Sequence, residues 1–162
     1  MQVEDSQSMR YTEGSVGRVF YVRVDHGEDL LETLQNFVAE KGIHSGIIQF
    51  LGAVAEGRIV TGPRQPVLPP EPSMESYNGG WEVVGLATIT PGPDRPHLHY
   101  HASAGRGREA LTGCLREKAV TYIIIEAVVM ELLGTRIQRR FDPKTGLDLP
   151  LPEPPQGFAK EQ

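Results

Sequence analysis

The chain has one cysteine and one tryptophan among its 162 residues. A lone cysteine, Cys114, excludes an internal disulfide and fits a reducing, cytoplasmic setting. Long apolar runs are missing as well. The longest, Tyr122 to Leu133, is broken by Glu126 and Glu131, so no stretch reads as a membrane-spanning helix. The opening residues, Met1-Gln2-Val3-Glu4-Asp5-Ser6, are acidic and lack the apolar core of a secretion signal. Positive charge is in deficit: 16 Lys and Arg against 21 Asp and Glu leave a formal charge of −5. That balance weighs against a surface built throughout to grip nucleic-acid phosphates. It leaves room for local basic patches, at Arg106 and Arg108 or at Arg136, Arg139 and Arg140, although short clusters of this kind are ordinarily solvated surface.

Histidine is scarce too, five in all, yet His97, His99 and His101 occupy alternate positions in Pro96-His97-Leu98-His99-Tyr100-His101. On a β-strand, alternate side chains share a face, so the three imidazoles would line up together. Imidazole is the commonest metal ligand in proteins. One His-x-His pair is equally well explained as polar strand surface; a third histidine in phase favours metal. His26 and His44 read as surface or loop residues.

The length suits one domain, and 39% hydrophobic with 23% charged residues is ordinary for a globular chain. Arg18–Val24 reads as a strand. Asp29 to Lys41 reads as a helix whose Leu30, Leu31, Leu34, Phe37 and Val38 form one apolar stripe, with Gly42 as its C-cap glycine. Strands follow at 43–51, 54–60, 81–90 and 97–104, the last two as an antiparallel pair. A long strand is expected at 120–133 and a last one at 137–141. Residues 111–115 are ambiguous, and Tyr77-Asn78-Gly79-Gly80 and Gly105-Arg106-Gly107-Arg108 read as turns. Residues 62–72 form a proline-rich loop. The sum is an α+β domain: a mostly antiparallel sheet with one or two helices packed on it. It is expected to occupy 9–149, between a flexible N-terminal tail, 1–8, and a proline-rich C-terminal tail, 150–162.

Several stretches in order, Arg18-Val-Phe-Tyr-Val-Arg-Val-Asp-His-Gly-Glu-Asp-Leu-Leu-Glu, Lys41-Gly-Ile-His-Ser-Gly-Ile-Ile, Phe50-Leu-Gly-Ala-Val, Trp81-Glu-Val-Val-Gly-Leu, Pro96-His-Leu-His and Asp142-Pro-Lys-Thr-Gly, carry a resemblance across nearly the whole chain. The sequence resembles the plants-and-prokaryotes-conserved (PPC) domain family. The resemblance implies a compact domain that assembles as a homotrimer, and in some members a zinc site made from a His-x-His strand and a third, later histidine. Carried over, His97 and His99 match the first two ligands, and Cys114 stands where the family usually has the third histidine. A thiolate is a good zinc ligand, and His-His-Cys plus water would be an open site. Cys114 could equally mark a lost site, as a small apolar core residue. His101 is an alternative ligand beside His99; His97 and His101, roughly 13 Å apart along a strand, suit one ion poorly. Plant members accompany AT-hooks in DNA-binding proteins. Here Gly105-Arg106-Gly107-Arg108 runs into Glu109 where an AT-hook needs proline, so that element is not carried over.

Three functions follow. One is a zinc-binding trimer that handles an unidentified small ligand, with Glu126 and Glu131 either as acid–base groups or, more simply, as wet-face or interface charges. Another is a DNA-binding or regulatory protein whose phosphate contacts would come from Arg136, Arg139 and Arg140. A third is an assembly module presenting its proline-rich loop to a protein partner.

Overall fold

The structure, a computed structural model, describes residues 9–154. The expected tail at 1–8 and the end of the C-terminal tail at 155–162 lie outside them. Seven strands and one helix follow in chain order: β1 (Ser15–Asp25), α1 (Leu30–Glu40), β2 (Gly46–Pro63), β3 (Pro72–Thr90), β4 (His97–Arg106), β5 (Glu109–Leu133), β6 (Ile137–Asp142) and β7 (Leu147–Pro152). The α+β, mainly antiparallel class is thus the observed one, with a single helix among the described residues.

The helix forms where its signals lie. Asp29 caps it, its carboxylate accepting from the Leu31 and Glu32 amides, a contact worth about 1 kcal/mol. Leu30, Leu34 and Val38 are buried on one face. Gly42 takes the left-handed conformation (φ 63°) that ends the helix.

The main sheet runs β1-β5-β2-β3-β4, and β4 also pairs with β5, so β5, β2, β3 and β4 close into a ring. Strand β5 makes this possible. Its first part pairs with β4, from Glu109 to Cys114, and its last part with β1, from Ile124 to Leu133, while β2 lies along most of its length. Between those parts the strand bends, with Glu117 and Ile123 at φ near 60°. From Ile125 to Glu131 the odd-numbered residues are buried. The core gathers Val24, Leu34, Ile48, Ile59, Ile89, Ile125 and Val129 inside the ring and under the helix.

Four sequence expectations change. Residues 111–115 are strand, part of β5, and 43–51 with 54–60 merge into the single strand β2. Tyr77 to Gly80 is no turn: between the pairs Val54–Trp81 and Glu56–Asn78, Gly79 and Gly80 face Ala55 alone, a bulge inside β3. Gly79 supplies the positive φ of 90° that the bulge needs. Finally, Pro150 to Pro152 is not a loose tail but the end of β7, paired with β6 down to Ile137–Pro152. Proline is tolerated there because the hairpin is a two-stranded sheet, each strand having one open edge.

Candidate metal centre

The hairpin between β4 and β5 sets the geometry. Arg106 pairs with Glu109 across the two-residue turn Gly107-Arg108, so counting five residues outward on each strand brings His101 opposite Cys114. Residues directly opposite on an antiparallel pair share a face. His99 stands two residues before His101, and their rings meet edge to face, 4.9 Å between centroids and 88° between planes. The ligand atoms of His99, His101 and Cys114 lie within 4.8 Å of one another. Among the described residues this is the one such cluster of metal-ligating side chains.

His97 does not join it. Its strand partner is Thr90, and its ring lines a separate cleft of about 520 Å³ against the β6–β7 hairpin, with Arg95, Arg139 and Asp148. The set implied by the resemblance, His97, His99 and Cys114, is therefore not the set the fold brings together; His101 takes the place of His97.

Burial, helped by nearby positive charge, favours the neutral form of His97 and His99. Burial lowers the pKa of His99, and the nearby His101, Arg116 and Arg139 push it the same way. His97 is lowered first by burial and then by Arg139 and Arg116, against a smaller opposing pull from Asp148. A neutral imidazole is the form that ligates metal. Burial raises the Cys114 thiol, partly offset by Arg116, so an incoming cation has to displace its proton. Cys114 is buried, and its thiol lies 4.0 Å from the Leu115 carbonyl, beside Arg116 and within 4.8 Å of the two histidine nitrogens.

The donor chemistry fits zinc. Tetrahedral Zn–N and Zn–S bonds of about 2.0–2.3 Å put ligand atoms about 3.4–3.8 Å apart, a small rotamer adjustment from the spacing seen. Two imidazoles and one thiolate leave a fourth position for water or ligand.

The remaining sequence candidates are dispersed. Arg136 and Arg140 share Glu153, at 2.7 and 3.8 Å. Arg139, on the other face of β6, donates to the Asp148 carbonyl beside His97. Glu131 is held by Arg18, and Glu126 accepts from the Tyr21 hydroxyl. The contributions of Arg95, Arg116 and Asp148 near the histidines escaped sequence reading: none lies in a motif, and Arg116 and Asp148 arrive through strand pairing and packing.

The chain matches the Plants and Prokaryotes Conserved domain over residues 11–133. No curated protein matches it. Three solved structures share its fold. A metal-containing protein from Archaeoglobus fulgidus is 29% identical, with TM-score 0.77, over 87% of this chain and 98% of that one. A plant- and prokaryote-conserved protein from Pyrococcus horikoshii is 29% identical, with TM-score 0.70, over 87% and 94%. A candidate DNA-binding protein from Bacteroides thetaiotaomicron is 26% identical, with TM-score 0.71, over 85% and 96%. With its matching domain and shared fold, the chain belongs to the Plants and Prokaryotes Conserved domain family.

Proposed function

We propose that this protein is a zinc-binding, homotrimeric member of the family that presents an open metal position to a small ligand. The observation that carries the reading is the convergence of His99, His101 and Cys114 within 4.8 Å. The similar Archaeoglobus protein, described as metal-containing, supports it. A bound zinc would polarise a ligand carbonyl or acidify a bound water. In this chain His99 and His101 supply nitrogen donors, and buried Cys114 supplies a thiolate once its proton leaves.

Support for the trimer comes from the outer face of the sheet. Tyr21, Leu51, Val84 and Leu86 are 66%, 53%, 61% and 46% exposed and line one apolar depression of about 510 Å³. Apolar surface gathered in this way marks an association site. It lies on the cross-strand row Tyr21–Val128–Gln49–Leu86–His101–Cys114, so partner copies would sit next to the metal ligands.

Elemental analysis of purified protein tests the metal reading. About one zinc per chain, lost in His101→Ala and Cys114→Ala but kept in His97→Ala, is expected. Failure to hold zinc even after loading would overturn it. DNA binding is the second reading, favoured by the description of the Bacteroides relative. Glu153, shared by Arg136 and Arg140, offsets part of their charge, which argues for a weak, strongly salt-dependent interaction at most.

A further inference from the structure

The cleft beside His97 belongs neither to the metal cluster nor to the apolar face. One wall is the connection between β3 and β4, with Pro91, Gly92 and Arg95; the other is the β6–β7 hairpin, with Arg139 and Asp148. That hairpin lies beyond residues 11–133, so the family domain alone does not form this wall. The volume, about 520 Å³, is that of a small-molecule site.

Its charge is unbalanced. Among the described residues neither Arg95 nor Arg139 has a carboxylate within ion-pair distance, in contrast to the hairpin neighbours of Arg139, Arg136 and Arg140. Arg139 is held only through the Asp148 backbone carbonyl, and its Nε is buried with no partner among the described residues. A buried, unpaired guanidinium donor is costly unless something accepts from it. Asp148 also lines the cleft, so two guanidinium groups face one carboxylate and the net field is positive. An arginine fork is matched geometrically to a carboxylate or phosphate.

We propose that this cleft binds the carboxylate or phosphate of a small ligand, with Arg139 and Arg95 as the charged contacts and His97 as a neighbouring polar one. The inference rests on the metal reading in one respect only: His97 is two residues from His99, about 7 Å along a strand, so an anion held here would present the rest of the ligand to the metal. The anion contacts use none of the three metal ligands.

The test is a titration of the full-length, metal-stripped protein with inorganic phosphate and, separately, succinate, followed by calorimetry and by the imidazole C–H signals of His97. Saturable binding that moves His97 and weakens about ten- to a hundredfold in Arg139→Gln and Arg95→Gln, but not in Arg140→Gln, is expected. The stronger of the two anions tells phosphate from carboxylate. Absence of binding up to millimolar anion, or binding indifferent to both cleft variants, overturns the proposal. So does an affinity for duplex DNA that falls equally in Arg139→Gln and Arg140→Gln with no binding of either small anion. Should Arg139→Gln fail to fold, Arg95→Gln, on an exposed connection, decides alone. Zinc content is measured on the same preparations before stripping. Zinc without anion binding defeats the cleft alone; anion binding without zinc defeats the metal reading alone.

Discussion

His101 and Cys114 are direct partners across the β4–β5 ladder, while His97 faces Thr90 on the opposite neighbour, β3. The first pair can share an ion because opposite residues of an antiparallel ladder are the closest side chains a sheet offers. Cys114→Ala is therefore expected to lower zinc affinity by at least about a hundredfold, and His97→Ala to leave it within a few-fold, since only the former removes a ligand. Cobalt substitution reads the difference directly. The cobalt–thiolate absorption should vanish in Cys114→Ala and persist in His97→Ala; its loss in His97→Ala would restore His97 as a ligand.

Gly113 holds Cys114 in place. A Cβ on Gly113 would collide with the backbone carbonyl of Val60, because β2 crosses β5 closely there. Gly113→Ala should therefore push β5 away from β2, costing about 1–3 kcal/mol by overpacking and misplacing the thiol. Denaturant unfolding and zinc titration should move together. Unchanged zinc affinity in a destabilised variant would show that the close approach matters for folding alone.

How much of this was legible follows from where each residue gets its position. The helix was readable because its stripe and its Asp29 cap are local. The histidine strand was readable because period two is local. The His99–His101–Cys114 cluster was half readable. The Gly105-Arg106-Gly107-Arg108 turn was recognised, and counting outward from it pairs His101 with Cys114. The resemblance instead drew His97 into the set. Residues 111–115 show no clear period because Cys114 and Leu115, adjacent in the chain, are both buried, and the Tyr77–Gly80 bulge mimics a turn, since both need a glycine at positive φ. The cleft against β6–β7 could not be read at all. Arg139 reaches His97 through a hairpin whose second strand is mostly proline and leucine, a composition that signals a tail.

Glu131 makes acid stability testable. The Arg18 guanidinium, donating to it at 2.7 and 2.8 Å, holds its carboxyl near 2, well below the ordinary 4.5. A folded-state pKa depressed in this way contributes stability that is present above about 4.5 and lost as pH falls toward 2. Arg18 is half exposed, so solvent screens the pair and the contribution is modest. Glu131→Gln should lower the denaturation midpoint slightly at neutral pH and flatten its fall between those two values. A slope as steep as wild type would assign acid sensitivity to other carboxylates.

Val84 offers the cleanest break in the proposed trimer. It is 61% exposed and pairs with Leu51 on one side and Ser103 on the other, one step along β3 from the row that carries His101. Arginine there keeps the strand but places a charge where apolar surface would be desolvated, which costs more than association of so small a patch can return. Light scattering should give three times the chain mass for wild type and a single chain for Val84→Arg, with far-ultraviolet dichroism unchanged. Zinc content measured on the same monomer then separates two arrangements. Retention near one per chain means that His99, His101 and Cys114 suffice within one copy. Loss means that a neighbouring copy completes the coordination, which the position of Leu86 directly opposite His101 makes sterically accessible. A wild-type protein that scatters as a monomer would remove the trimer from the account and leave the exposed Tyr21, Leu51, Val84 and Leu86 to a different partner.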